Sequence, residues 1–261
     1  MISLSEYLLK NNTDAHIHLF DHTGVISNFD ELKDSKQIGF MDIDLLHVEK
    51  YELEDVIKYY DNFIKNYYND NITLLATGKD SRTMIELYKK YPDKIKGFGE
   101  LKCYSHYVNH KLPYGNLQWF KELCEFNRTH KLPIFIHWYV YSKSRKNELD
   151  ELLNEYPEIP FVLCHCGMSP FRNYKKQFEY VTELLLKHNN LYVDISYKPT
   201  NFFLENPEYA YSLRNKCIIG TDINNKSIKH NSYKEYVDMF NQLSLLELNC
   251  ETTLKKIFNI S

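Results

Sequence analysis

The segment Asp14–Phe20 reads D-A-H-I-H-L-F and places two histidines two residues apart in an apolar run. Side chains of a β-strand alternate between its two faces, so His16 and His18 are expected on one face together with Asp14. Two imidazoles side by side on one strand form half of a metal site. For an isolated H-x-H motif, two unrelated loop histidines are the simpler explanation, because short motifs recur by chance. The rest of the chain decides between these interpretations.

Other segments have the same form, a short hydrophobic strand that ends in one polar residue. A fully buried parallel strand reads as a nearly continuous apolar run. A charged or imidazole group at its end is costly to bury without a partner. Repetition of this pattern is not explained by chance, and it predicts that the polar residues meet at one site. The further segments are Ile95–Glu100, Pro133–His137, Pro160–His165 and Cys217–Asp222.

The composition is that of an ordinary globular protein. The chain has 261 residues, 43% hydrophobic and 26% charged, which is enough for one large barrel or two small domains. Its formal net charge of −3 provides no basic field that would attract nucleic acid. Residues 1–6 lack the basic start of a signal peptide, and no run approaches the length of a membrane span. We therefore expect neither nucleic acid nor membrane among the partners.

The cysteines favour a reducing compartment. None of the six forms a C-x-x-C pair, and most lie in apolar segments, where a free cysteine behaves as a small hydrophobe. This pattern predicts a cytoplasmic protein without a disulfide framework. Cys164 and Cys166 flank His165, and strand alternation predicts that both thiols pack against helices on the face opposite the imidazole.

Strand and helix signals alternate along the whole sequence. Eight βα units fit within it, about the length that a (β/α)₈ barrel requires. No linker, low-complexity segment or compositional break divides it, so residues 1–261 are expected to form one domain. The expected strands are 13–20, 39–45, 71–77, 95–102, 133–138, 160–166, 191–196 and 216–222. The expected helices are 53–68, 81–91, 117–130, 146–156, 174–188, 205–215, 233–243 and 245–257.

The candidate ligands all lie at the C-terminal ends of their strands. In (β/α)₈ barrels the active site is found at this end. We therefore expect an α/β fold, a single (β/α)₈ TIM barrel with a metal site at the C-terminal ends of the strands.

The order of these residues resembles the amidohydrolase superfamily of metal-dependent TIM-barrel hydrolases. H-x-H on the first strand is followed by Glu100, His137, His165 and Asp222 on the fourth, fifth, sixth and eighth. Segments 14–18, 97–102, 161–167, 192–196, 219–222 and 249–254 resemble the amidohydrolase-related (amidohydrolase 2) branch in particular. The resemblance implies a divalent metal, with zinc as the expected ion and one or two ions bound. The residues it implies as ligands are His16, His18, Glu100, His137, His165 and Asp222.

The chemistry of these side chains agrees with such roles. Neutral imidazoles and carboxylates suit zinc and other divalent first-row ions. A metal held by His16, His18, His137 and Asp222 would keep one position open for water and lower the pKa of that water to about 7. Asp222 is then the expected general base. His165 is expected to polarise the substrate, to assist proton transfer or to bind a second metal.

Glu100 has two open roles. Some members of the superfamily bridge two metals with a glutamate or a carboxylated lysine on this strand, whereas others bind one metal and have no ligand there. Glu100 and Lys102 have the same strand parity, and a structural ion pair between them is the alternative. We expect Glu100 to touch the metal region and Lys102 to contact substrate or to lie behind the ligands.

Several residues that follow strand ends are candidates for the pocket lining. Arg145 or Arg172 could pair with a substrate carboxylate, and packing or solvation is the alternative for each. His22 and His47 could line the pocket near the first two strands.

The expected function is a metal-dependent hydrolase in which activated water attacks a carbonyl, lactone, amide or phosphoester centre of a small molecule. The resemblance also implies two alternatives. One is a metal-dependent non-oxidative decarboxylase of the same branch, and the other is a glutamate-bridged TatD-like phosphoesterase or nuclease. The net charge of −3 disfavours the nuclease. Loop composition does not encode a ligand, so the substrate stays open, as does a homo-oligomeric state.

Overall fold

The structure is a computed structural model, in which the chain forms an α/β fold around one sheet. The described residues are 13–21, 24–26, 29–32, 35–42, 52–78, 80–103, 118–170, 172–196, 199–224, 235, 238, 241–243, 245–246 and 248–259. The strands are β1 (Asp14–Asp21), β2 (Gly24–Val25), β3 (Gln37–Asp42), β4 (Ile72–Ala76), β5 (Ile95–Lys102), β6 (Ile134–His137), β7 (Phe161–Leu163), β8 (Leu191–Ile195) and β9 (Cys217–Ile219).

Helices alternate with these strands along the chain. Capping side chains mark the first turns of three of them: Asp80, Ser142 and Asn173 each accept a hydrogen bond from the backbone N–H three residues later. The described helices are α1 (Phe29–Leu32), α2 (Leu53–Asn66), α3 (Ser81–Lys90), α4 (Gln118–His130), α5 (Lys143–Glu155), α6 (Tyr174–Lys187), α7 (Pro199–Glu205), α8 (Pro207–Ser212) and α9 (Cys250–Ile257). Among the described residues, no helix combines the length and the apolar character needed to cross a bilayer.

The sheet is parallel except for β2. Its strands are ordered β2-β1-β3-β4-β5-β6-β7-β8-β9, and β2 pairs antiparallel with β1. The sheet curves until the chain after β9 reaches β1. There the Asp222 N–H donates to the His16 carbonyl at 2.7 Å, and the His18 N–H donates to the Ile223 carbonyl at 2.9 Å. The first and last strands of the parallel series therefore meet beside the H-x-H motif.

Two apolar clusters cover the two faces of this curved sheet. The larger one fills the space between the sheet and the surrounding helices. The smaller one, called the inner cluster below, lies on the concave face, because it unites residues from strands at both ends of the sheet with one residue of α9. Its members are Ala15, Ile38, Phe40, Leu75, Phe135, Val162, Cys164, Tyr192, Ile218 and Ile257.

The predicted alternation of parallel strands and helices is confirmed. The expected strand 39–45 corresponds to β3, which begins two residues earlier, at Gln37. Residues 43–45 and much of the expected helix 233–243 lie outside the described part of the chain. The expected helix 205–215 is replaced by α7 and α8, because Pro207 begins a new helix after the first one ends.

The expected strand 160–166 was wrong at its C-terminal end. The strand stops at Leu163, and Cys164–Gly167 form a 3₁₀ turn in which His165 and Cys166 have positive φ angles of 53° and 52°. Strand alternation continues through Cys164, which follows Val162 into the inner cluster, and it fails at His165 and Cys166. Cys164 packs in the inner cluster instead of against helices. Cys166 packs, as expected, in the larger cluster between the sheet and the helices.

Gly220 is required where the chain passes from β9 to β1. A Cβ atom at this position would lie 2.4 Å from the Cβ and 2.6 Å from the backbone N of His16. The Gly220→Ala substitution is therefore expected to push β1 away from the end of β9 and to lower the free energy of unfolding by about 1–3 kcal/mol, the usual cost of overpacking. Chemical denaturation measures this loss. An unchanged midpoint would show that the two segments separate without strain.

Candidate metal centre

Strand β1 brings the two histidines of the H-x-H motif together. Their Nε2 atoms lie 3.4 Å apart, and His16 is fully buried while His18 is 5% exposed. The His16 ring packs on Phe40 of the inner cluster with a centroid separation of 4.6 Å. The prediction that both imidazoles lie on one face of the strand is confirmed.

Asp222 completes a three-residue cluster with this pair. Its Oδ1 lies 3.0 Å from His18 Nε2 and 3.4 Å from His16 Nε2. The residue has a left-handed backbone with φ of 57°, and its N–H is bonded to the His16 carbonyl, which aims the carboxylate back at β1. A non-glycine residue in this conformation costs about 1–3 kcal/mol, and such residues cluster at functional sites.

Glu100, at the C-terminal end of β5, connects this cluster to two further histidines. Its Oε1 lies 2.6 Å from His137 Nδ1 and 3.4 Å from His165 Nε2, and its Oε2 lies 3.8 Å from His18 Nε2. The His137 and His165 rings are 4.6 Å apart. All six predicted ligands therefore gather in one place. The side chain of Lys102 lies outside the described part of the chain, so its ion pair with Glu100 stays a prediction.

The electrostatic interactions in the cluster favour positively charged imidazole rings beside negatively charged carboxylates. Burial disfavours a charged His16, yet the Asp194 carboxylate raises the pKa of that imidazole to about 10. Burial also disfavours ionised Asp222, but the neighbouring imidazoles of His165, His18 and His16 lower its pKa to about 2. Asp222 is thus a carboxylate at neutral pH, as a metal ligand or a base must be.

Asp194 was missed by the sequence analysis. It lies in β8, it is fully buried, and its Oδ2 is 3.0 Å from His16 Nδ1. The signal was present, since a carboxylate inside the apolar run L-Y-V-D-I needs a partner when buried. Ser196, two residues later, was also missed, and its hydroxyl oxygen lies 2.9 Å from His165 Nδ1.

Asp14 shares the strand of the histidines but does not reach the cluster. Its carboxylate accepts hydrogen bonds from the Thr221 N–H at 2.9 Å, the Thr221 hydroxyl at 2.7 Å and the His16 N–H at 3.2 Å. Burial raises the pKa of Asp14 to about 6, although these hydrogen bonds oppose the rise. Asp14 therefore fastens the end of β9 to β1 and fixes the position of the next residue, Asp222.

A small cleft of about 70 Å³ lies beside the cluster. Histidine and carboxylate side chains form its floor, and aromatic, proline and methionine side chains form its walls. Its lining residues are His137, Tyr139, His165, Met168, Pro170, Pro199 and Asp222.

The two predicted substrate-binding arginines have different surroundings. The Arg145 guanidinium lies 4.3 Å from the Trp138 ring and donates to Glu148 at 2.5 Å and to the Cys103 carbonyl at 3.1 Å. Arg172 is exposed near the cleft residue Pro170, and its guanidinium lies 5.6 Å from the ring of Tyr141. Contact of either with substrate stays a prediction. The other pocket candidates, His22 and His47, lie outside the described residues.

The donor atoms fit a divalent first-row ion. The ligand atoms of His16, His18 and Asp222 all lie within 4.8 Å of one another, and so do those of His16, Glu100 and His165. Imidazole nitrogen and carboxylate oxygen are the donors that zinc accepts. Cys164 also lies near His16, but burial raises the pKa of its thiol well above the usual value, so a thiolate ligand is disfavoured.

Comparison with solved structures identifies the class of the fold. A probable 2-pyrone-4,6-dicarboxylic acid hydrolase from Acinetobacter baumannii, with citric acid bound, superposes with a TM-score of 0.66 at 16% identity, over 96% of this chain and 100% of that one. An amidohydrolase from Burkholderia multivorans with bound zinc gives 0.66 at 9% identity, over 96% and 99%. A 2,6-dihydroxybenzoate decarboxylase from Rhizobium gives 0.59 at 13% identity, over 96% and 99%.

These similarities establish the fold. The chain has the fold of the amidohydrolase-type proteins, and the resemblance deduced from the order of its histidines and carboxylates is confirmed at that level. No protein-family model and no curated protein sequence matches the chain.

Proposed function

We propose that this protein is a metal-dependent hydrolase of the amidohydrolase type, built as a single complete (β/α)₈ barrel from residues 1–261 and acting on a carbonyl, lactone, amide or phosphoester centre of a small molecule. The observation that carries the proposal is the convergence of His16, His18 and Asp222 within 4.8 Å, with Glu100, His137 and His165 beside them. The meeting of β1 with the end of β9 supports the complete barrel.

The six residues of the cluster would hold one or two divalent ions, with zinc as the expected species. An ion bound there supplies Lewis acidity and lowers the pKa of a water molecule towards neutrality. Asp222, ionised and beside the cleft, is the group that accepts a proton from the attacking water and returns it to the leaving group. His165 Nε2 lies 3.9 Å from Asp222 Oδ2 and faces the same cleft, where it polarises the substrate or assists the transfer.

Substrate selection falls to the cleft and its rim. The apolar and aromatic lining suits a compact organic molecule. Arg172, an exposed residue two positions after the lining residue Pro170, is the expected partner of an acidic group on that molecule. Arg145 and Lys102 remain further candidates for the same contact. The net charge of −3 favours a small molecule over nucleic acid.

A non-oxidative decarboxylase is the second candidate, because the decarboxylase from Rhizobium shares the fold over nearly the whole chain. The third is a glutamate-bridged phosphoesterase, for which the position of Glu100 between the histidines is the favouring observation. Zinc-loaded and chelator-treated protein should be assayed on lactones, amides, aryl phosphate diesters and hydroxybenzoates with identification of the products. Zinc-dependent hydrolysis supports the proposal, and release of CO₂ from a benzoate would replace it with the decarboxylase.

The position of Glu100 predicts the number of ions. A glutamate that bridges two metals holds them about 3.5–4 Å apart, and the contacts of Glu100 with His18 on one side and His137 on the other suit that role. The Glu100→Gln substitution is expected to lower the bound zinc from two ions per chain to one, because an amide bridges two cations poorly. Metal analysis after gel filtration measures the ratio. An unchanged ratio would place Glu100 outside the ligand set.

A further inference from the structure

We infer that Asp194 is a positioning residue that holds the Nδ1 side of both His16 and His165, so that each ring presents its Nε2 to the same centre. The inference rests on the proposed function, because it concerns how the protein prepares its metal ligands. It assigns a role to a buried strand residue that is not one of the six predicted ligands and does not line the cleft.

Both carboxylate oxygens of Asp194 have hydrogen-bond partners. Its Oδ1 accepts the backbone N–H of His165 at 3.0 Å and the hydroxyl of Ser196, while its Oδ2 lies 3.0 Å from His16 Nδ1. The backbone N–H can only donate, and an ionised carboxylate can only accept. His16 therefore has a proton on Nδ1, and its Nε2 is the nitrogen that faces the centre.

Ser196 connects the His165 ring to the same carboxylate. The Ser196 hydroxyl has a single proton, which it donates to Asp194, so its oxygen accepts from its remaining neighbour. That neighbour is His165 Nδ1 at 2.9 Å. His165 therefore also carries its proton on Nδ1, and one carboxylate determines the protonation site of two rings.

The two Nε2 atoms face other acceptors. His16 Nε2 lies 3.4 Å from Asp222 Oδ1, and His165 Nε2 lies 3.4 Å from Glu100 Oε1. Each contact needs a positive charge between the ring nitrogen and the carboxylate oxygen, which either a proton on Nε2 or a divalent ion in its place supplies. A hydrogen bond from the second ring nitrogen to a carboxylate also orients a ligating imidazole and increases its basicity. Asp194 thus prepares the two rings for the ion.

Zinc affinity is the first test. The Asp194→Asn side chain has one acceptor oxygen, whereas both oxygens of Asp194 accept hydrogen bonds. Either the His16 ring or the two donors at Oδ1, the His165 N–H and the Ser196 hydroxyl, therefore loses its acceptor. We expect the Zn²⁺ dissociation constant, measured by competition with a chromogenic chelator, to rise about 10–100-fold. The matched control is Asp150→Asn, which removes a carboxylate contact to His188 and Lys187 on the helices and should leave zinc affinity unchanged.

Ring nitrogen spectra of the zinc-loaded protein are the second test. Two-bond ¹H–¹⁵N correlation of the histidine rings should show His16 and His165 protonated at Nδ1 in the wild type. In Ser196→Ala, the Nδ1 signal of His165 should shift because its hydrogen bond is lost, while the signals of His16 stay. A purely structural role of Asp194 would change thermal stability without changing these signals.

The outcomes separate the two hypotheses. A wild-type protein that binds no Zn²⁺ removes the proposed function and this inference with it. A wild type that binds Zn²⁺ tightly, with Asp194→Asn binding it equally well, overturns the inference alone. If Asp194→Asn does not fold, the wild-type spectrum decides: a proton on Nε2 of either His16 or His165 overturns the assignment.

Discussion

Asp222→Asn is expected to give a folded, metal-loaded protein whose turnover falls by about 10²–10⁴-fold, the usual loss when a general base is removed. Asparagine keeps the shape of the side chain and offers one oxygen to the ion, but its amide does not accept a proton from water. It also tolerates the left-handed backbone that Asp222 adopts at φ of 57°. The loss should therefore be chemical rather than structural.

Steady-state kinetics on whichever substrate the screen identifies measures this loss. Metal content and the unfolding midpoint should be recorded for the same preparations. Asp150→Asn, a carboxylate-to-amide change on α5, is the control that should keep full turnover. Turnover near the wild-type level in Asp222→Asn would show that Asp222 is not the base, and His165 would become the leading candidate.

Replacing His16 and His18 together by alanine is expected to empty the metal site. Both donor nitrogens lie within 3.4 Å of Asp222 Oδ1, so neither cluster of ligands survives without them. A ligand that binds only the folded state at 1,000 times its dissociation constant adds about 4.1 kcal/mol to the free energy of unfolding. Zinc should give an increase of this order to the wild type and none to the double variant.

Elemental analysis and denaturant titration with and without zinc make the measurement. His130→Ala, which removes an exposed histidine at the end of α4, should retain both the metal and the stabilisation. Full occupancy in the double variant would remove the metal hypothesis.

The sequence predicted those parts of the site that depend on local periodicity. The spacing of His16 and His18 places both rings on one face because a strand alternates sides. Glu100 and Asp222 are recognisable because each follows an apolar run that a parallel sheet buries. Their convergence then follows from the fold, in which the ends of parallel strands meet at one edge.

The features that the sequence did not predict depend on partners far along the chain or on backbone angles. Asp194 is 178 residues from His16, so only the curved sheet in three dimensions shows which ring its carboxylate meets. The positive φ angles of His165 and Cys166 leave no mark in the hydrophobic pattern, and Cys164 was placed on the wrong face as a result. The contacts of Arg145 and Arg172 depend on the geometry of loops, which amino-acid composition does not determine.

The hydrogen bonds between β1 and the chain after β9 have a consequence for biosynthesis. His18 and Asp222, which share the centre of the site, are 204 residues apart. A growing chain on the ribosome exposes its histidine pair long before the aspartate has been translated. Protein synthesis adds about 5–20 residues per second. The 204 residues between His18 and Asp222 therefore take about 10–40 seconds, during which the histidine pair has no carboxylate partner. Metal capture is therefore expected only after Asp222 has been synthesised and has reached the histidine pair.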